Sequence, residues 1–209
     1  MTFTRLIGVV CNKIIVLIVR ALALSRIHPN VLTFVGLLIN LWAAYLLSKG
    51  LFRQAAFVII GAGIFDMVDG RVARETNQVT RFGGFFDSVL DRYSDLGLLI
   101  GLLVWYGTIN RPFYVVMTAI VMTASVMISY TRARAENTIP TCKVGFMERP
   151  ERIVLLILGA LTDRMAPVLW VIAILGNLTV IHRMLFTWQE AKRLEDAQLR
   201  PSAAAHKYH

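Results

Sequence analysis

The stretch Asp66-Met67-Val68-Asp69-Gly70-Arg71-Val72-Ala73-Arg74 joins two apolar segments, and after eight intervening residues come Gly83, then Asp87, then Asp91. Charges at the ends of apolar segments are costly unless something of opposite sign binds among them. Read as helices, Asp66 and Asp69 are three apart and Asp87 and Asp91 four apart, so each pair shares a face. Two such faces turned toward each other make a four-carboxylate cage. No His or Cys is interleaved, and an all-oxygen donor set suits Mg²⁺ or Mn²⁺ rather than zinc or copper. Two such ions would clamp a diphosphate. Gly70 and Ala73 leave room for a ligand beside the second aspartate, and Arg74 offers a planar fork for phosphate oxygens. Gly83-Gly84 predicts a tight turn into a helix whose N-terminal amides would also favour an anion. A single aspartate at a helix end is usually solvated at the interface. Four at helix-face spacing, with glycines and an arginine between them, call for a ligand.

The rest of the composition agrees with a membrane setting. Of 209 residues, 56% are hydrophobic and 17% charged, and the apolar residues form several long runs rather than one amphipathic core. The net charge of +9 would suit nucleic acid, but the basic residues lie in short connections and in both tails, which points to anionic headgroups and anionic substrates and excludes nucleic acid as a partner. Cys11 and Cys142 have no metal-ligand spacing. No small-residue cleavage site follows the first apolar run, so no removable leader is expected.

Outward from the aspartates, residues 1–30 read as an interfacial amphipathic helix and hinge. Arg5, Lys13 and Arg20 recur near one helical face, Pro29 breaks the helix, and Asn30 caps the next. Residues 31–186 read as six transmembrane helices, at about 31–48, 51–67, 85–106, 113–130, 153–161 and 166–186. The fifth is short on apolar residues and is expected to start near Met147. Lys49-Gly50, Asn110-Arg111-Pro112 and Thr162-Asp163-Arg164 are turns, and residues 187–209 form a polar tail that is helix-prone at first. The predicted fold is thus all-α and integral to the membrane. Lys and Arg number 17 on the side of the aspartates and both termini, against 4 in the opposite turns. Both termini and the site are therefore expected in the cytoplasm.

A second basic constellation falls on the same side. Ser129-Tyr130-Thr131-Arg132-Ala133-Arg134-Ala135-Glu136 closes the fourth span, Glu148-Arg149-Pro150-Glu151-Arg152 opens the fifth, and Arg183 ends the sixth. Such charges often serve only as interfacial anchors. Arginines beside a metal-diphosphate site would equally suit an acceptor that carries its own phosphate.

The pattern D-x2-D-G-x2-A-R-x8-G-x3-D-x3-D, filled by Asp66, Asp69, Gly70, Ala73, Arg74, Gly83, Asp87 and Asp91, resembles the signature of the CDP-alcohol phosphotransferases, membrane enzymes of phospholipid synthesis, and a bacterial or archaeal cell membrane is the expected location. The resemblance implies transfer of a phosphatidyl group from CDP-diacylglycerol to an alcohol with release of CMP, two divalent cations held by Asp66, Asp69 and Asp87, and Asp91 completing the cage and taking the acceptor proton. It implies that Asp69, Gly70, Ala73, Arg74 and Gly83, with Thr33, seat the cytidine nucleotide, and that the protein is a homodimer. The S-Y-x-[KR]-A-R-A-E and E-R-x-E-R stretches look like the phosphatidylinositol-phosphate synthase branch. By that likeness Ser129, Arg132, Arg152 and Arg183 line an inositol-phosphate pocket, with Arg132 standing where lysine is common. Asp95, one turn beyond Asp91, reads as a buried partner for Arg92 or a hydroxyl.

Other readings stay open at this stage. A phosphatidylglycerophosphate synthase would use the same cage, and the arginines do not separate inositol phosphate from glycerol phosphate. A membrane prenyltransferase also binds a diphosphate through Mg²⁺ on aspartates, but does not need the glycine, alanine and arginine pattern. A cation channel or transporter would spread acidic residues through the membrane depth, as only Asp95 does here.

Overall fold

The computed structural model describes residues 29–75 and 80–205, with side chains over 30–67 and 80–197, and is all-α throughout. Six helices are described: α1 Pro29–Ser48, α2 Phe52–Glu75, α3 Arg81–Thr108, α4 Pro112–Ala135, α5 Arg149–Leu161 and α6 Met165–Ala205. The interfacial helix expected over residues 2–24, and His28, lie outside the described residues. Helix α1 starts at Pro29, so Asn30 sits in its first turn rather than capping it. Helix α6 continues past residue 186 as a single helix to Ala205.

The expectation of six transmembrane helices is corrected. Among the described residues three helices are long and apolar enough to cross a membrane, at Asn30–Ser48, Pro112–Ala135 and Met165–Ala197. The other three fall short for reasons tied to the site. Helix α2 carries Asp66, Asp69, Arg71, Arg74 and Glu75, and α3 carries Arg81, Asp87, Asp91, Arg92 and Asp95. Helix α5 has 13 residues, about 20 Å at helical rise, against a hydrocarbon core of about 30 Å.

Packing runs α1 on α2 and α3, α3 on α4, α4 on α6, and α5 on α2 and α6. Small residues set how closely α1 approaches. A β-carbon on Gly101 would fall 2.2 Å from the Ala44 carbonyl oxygen, and one on Gly97 would fall 3.1 Å from Leu41. This is the backbone-to-backbone approach by which helices associate in lipid, where apolar area supplies little drive. Around that crossing Leu47, Ile59, Leu98, Leu102, Val121, Leu169 and Ile172 are fully buried. Large exposed apolar side chains lie on the three apolar helices, such as Phe34, Trp42, Val116 and Ile174, and also on α2, α3 and α5, such as Phe57, Phe85 and Val154.

Three short turns close one end of the bundle in the same way. Leu51 N–H donates to Leu46 O at 3.0 Å, Arg111 N–H to Tyr106 O at 2.9 Å, and Arg164 N–H to Gly159 O at 2.8 Å. Gly50, Asn110 and Asp163 take positive φ at these turns, so each helix ends in a left-handed cap that satisfies its last carbonyls. At the other end the α2–α3 and α4–α5 connections are longer, and the charged side chains gather there.

Candidate active site

Helix α3 begins at this charged end. Thr80 is its N-cap, and its Oγ1 accepts from Gly83 N–H at 2.9 Å. The turn expected at Gly83-Gly84 is therefore the first turn of a helix, with Thr80 supplying the cap. A β-carbon on Gly83 would come within 3.0 Å of Thr80 Oγ1 and 3.4 Å of Asn30 Oδ1, so the bare position lets the start of α1 approach the start of α3. Thr33 is buried one turn into α1.

Asp87, Asp91 and Asp95 follow at helical spacing along α3. On α2, Asp66 faces them, with its Oδ1 3.1 Å from the place a Gly36 β-carbon would take. Asp69, Gly70, Ala73 and Arg74 follow on the last turns of the same helix. Between the two helices lies a guanidinium. Arg149, the first residue of α5, donates from Nη1 to Asp66 Oδ2 at 3.0 Å, pairs through Nη2 with Asp91 Oδ1 at 3.1 Å, and donates from Nε to Asp95 Oδ1 at 3.2 Å. Burial works against its charge, but Asp91, Asp95 and Asp66 outweigh that and hold its pKa above the ordinary arginine value. Among the described residues no three carboxylates converge as ligands of one ion. Asp66 and Asp91 are both held by this arginine.

Asp95 does not pair with Arg92, whose Nη1 donates to the Ser88 carbonyl. The Asp95 partners are Arg149 and Arg152, the latter donating from Nη2 to Asp95 Oδ2 at 2.6 Å. Both arginines open α5, three residues apart, which puts them on one face. Arg152 is 4% exposed and also reaches Met147 O at 3.5 Å.

Beside this network is a cavity of about 360 Å³. Its wall includes Asp91, Ser129, Arg132, Arg152 and Arg183, so the four residues expected for the acceptor meet at one place next to the last aspartate of the motif. Arg183 is 1% exposed. It donates to Val144 O at 2.8 Å, to Ile128 O, and to Glu148 at 3.0 Å. Arg132 pairs with the same Glu148 oxygen at 3.0 Å and with Glu136 at 3.2 Å. Residues 144–147 are pinned to α6, because Phe146 and Met147 N–H donate to Thr179 Oγ1 at 3.3 and 3.2 Å. Gly145 lies at φ 116° where a β-carbon would fall 2.4 Å from Thr179. Only glycine fits both the conformation and the contact.

Sequence reasoning did not assign Arg149, Glu148, Gly145 or Thr179. Arg149 was within reach, since it stands three residues before Arg152 in the E-R-P-E-R stretch. Gly145 and Thr179 carry no local signal, because their contact joins positions more than thirty residues apart.

An apolar helical bundle with carboxylates and arginines clustered at one end defines a membrane protein whose site is built for charged, phosphate-bearing groups. The chain belongs to the CDP-alcohol phosphatidyltransferase family, whose model matches residues 26–191. It is an integral membrane enzyme, and it transfers a phosphatidyl group from CDP-diacylglycerol to a phosphorylated alcohol. The chain is 38% identical over 179 residues to the archaetidylinositol phosphate synthase of Pyrococcus horikoshii, covering 84% of this chain and 90% of that one. It is 33% identical over 183 residues to the phosphatidylinositol phosphate synthase of Mycobacterium tuberculosis, covering 82% and 84%. The crystal structure of the M. tuberculosis enzyme with CDP-DAG bound matches with a TM-score of 0.79 at 32% identity, over 84% of this chain and 94% of that one. The same enzyme in complex with manganese and citrate matches at 0.76 and 33% identity, over 82% and 87%. A divalent cation thus belongs to a homologous structure.

Proposed function

We propose that the phosphorylated alcohol is an inositol phosphate, so that the product is a phosphatidylinositol phosphate. One observation carries this reading: Ser129, Arg132, Arg152 and Arg183 line a single cavity whose wall also includes Asp91. Arginine forks match phosphate oxygens in pairs. The names of the relatives support the same acceptor.

The residues divide the work. Asp66, Asp69 and Asp87, with Asp91 completing the set, would hold two divalent cations, Mg²⁺ or Mn²⁺. The donor chemistry fits, being all carboxylate oxygen, and a positive group already sits among Asp66, Asp91 and Asp95. Bound there, the cations would neutralise the diphosphate and the charge on the departing CMP. Asp69, Gly70, Ala73, Arg74 and Gly83, with Thr33, would seat the nucleotide at the ends of α2, α3 and α1. Arg132, Arg152 and Arg183 would fix the acceptor phosphate so that one hydroxyl lies against Asp91. Asp91 then takes the hydroxyl proton as that oxygen attacks the lipid-linked phosphorus. The charged end of the bundle faces the cytoplasm on this reading, in line with its share of Lys and Arg, and the exposed apolar faces of α1, α4 and α6 face lipid.

The test is release of CMP from CDP-diacylglycerol by purified protein, with Mg²⁺ or Mn²⁺, offered inositol phosphate, glycerol phosphate, inositol or serine separately. Release that needs both metal and inositol phosphate is expected. Release with glycerol phosphate instead would give the acceptor to a phosphatidylglycerophosphate synthase.

A further inference from the structure

Asp95 lies outside the family pattern, yet it is 6% exposed and paired to two arginines. Those arginines differ in what else they hold. Arg149 reaches on to Asp66 and Asp91, whereas Arg152 has, among the described residues, no carboxylate partner but Asp95, and both arginines, with Asp95 itself, line the cavity beside Ser129 and Arg183. The ion pairs therefore form an unbroken chain from the cation seat through Asp95 to the acceptor pocket.

We propose that Asp95 is a positioning residue that couples the two halves of the site, one carboxylate oxygen holding Arg149 and the other holding Arg152. This rests on the functional reading above for what the two halves bind. The geometry of Arg149 gives the mechanism. Its guanidinium spends Nε on Asp95 and one Nη on each of Asp66 and Asp91, so the fork is held by three carboxylates at once. Asp66 and Asp91 are also the oxygens that a divalent cation needs. With Asp95 neutral, a single uncharged acceptor oxygen is left for two arginines, so Arg149 settles more fully on those two carboxylates, in direct competition with a cation. The lost negative charge acts in the same direction. On the other side, Arg152 has five donors in a fixed fork. Asp95 and Met147 O take the ones on its buried side, which aims the remainder at the cavity. Losing that anchor frees the fork to turn away from a bound phosphate. One carboxylate thus sets the affinity of both halves through the two arginines it holds.

The experiment measures binding rather than turnover, on purified full-length protein. Wild type and Asp95→Asn are compared for Mn²⁺ binding, read by loss of the free Mn²⁺ resonance, and for inorganic phosphate binding by calorimetry with Mg²⁺ present. Both dissociation constants are expected to rise by roughly tenfold or more, as loss of a charge-assisted partner does. In an Arg152→Gln background, Asp95→Asn is expected to keep its effect on Mn²⁺ but to add less than about threefold to the phosphate constant, because the two residues act there as one unit. Constants within twofold of wild type, with only a lower melting temperature, would reduce Asp95 to a structural role and overturn the proposal. A shift in one constant alone would overturn the coupling. Asp95→Ser, read the same way, serves if the asparagine variant does not fold. Neither readout depends on which alcohol is the acceptor, so an error there would surface separately as CMP release with a different alcohol.

Discussion

The two ends of this bundle are built on different principles. One is closed by three left-handed caps at Gly50, Asn110 and Asp163, over a core of Leu47, Leu98, Leu102 and Leu169 packed to near-zero exposure. At the other, buried and half-buried arginines and aspartates neutralise each other across three helices, and a loop is held by hydrogen bonds to Thr179 and Arg183. The first end satisfies its backbone locally and its side chains by packing. The second keeps polar groups in an apolar setting, and its buried ion pairs are weak sources of stability. That cost is expected where function requires the charge. Substitutions at the closed end should therefore act on stability, and those at the charged end on turnover.

The sharpest separation comes from Asp91→Asn. Turnover is expected to fall by about 10²- to 10⁴-fold, the share a general base supplies, while the thermal melt in detergent shifts little. A melt that collapses in step with activity would break the contrast. At the crossing of α1 and α3 the reverse is expected. Gly101→Leu drives a side chain into the Ala44 carbonyl, which backbone cannot relieve, and should cost at least about 1–3 kcal/mol of stability. The folded remainder should keep wild-type specific activity per CMP released.

Arg152→Gln tests the charged end more finely. The KM for inositol phosphate should rise by roughly tenfold to a hundredfold, the worth of a hydrogen bond to a charged group, with the KM for CDP-diacylglycerol nearly unchanged. An equal rise in both would remove Arg152 from the acceptor pocket. A smaller pair of effects comes from the two positive-φ glycines. Gly50→Ala meets Trp105 and should lower the melting temperature alone, whereas Gly145→Ala meets Thr179 and should raise the acceptor KM. The least effect is expected for Arg53→Ala, which breaks a pair with Asp163 whose side chains are 71% and 50% exposed. Such pairs contribute about 0–1 kcal/mol, and neither activity nor the melt should move appreciably.

The same contrast explains what could be read from sequence. The three closing turns were legible because Gly50, Asn110-Arg111-Pro112 and Asp163 carry their signals within a few residues. The aspartates were legible for a similar reason, since helical spacing alone puts Asp87 and Asp91 on one face of α3. The number of spans was misread because α2 and α3 are apolar over part of their length, and their charged ends belong to the same helices as their apolar runs. The partner of Asp95 was misread because the nearest arginine in sequence, Arg92, bonds its own helix, while the true partners lie more than fifty residues away on α5. Local signals reached the caps and the motif. Long-range ion pairs had to be seen in three dimensions.

The most direct measurement of the central claim follows the acceptor phosphate itself. Purified protein would be given CDP-diacylglycerol, Mn²⁺ and inositol phosphate labelled with ³²P, and the lipid phase extracted and counted. The account predicts label in the lipid that depends on Mn²⁺ and on the CDP-lipid, and that vanishes in Asp91→Asn. Label that stays in the aqueous phase while glycerol phosphate under the same conditions carries its own label into lipid would contradict it.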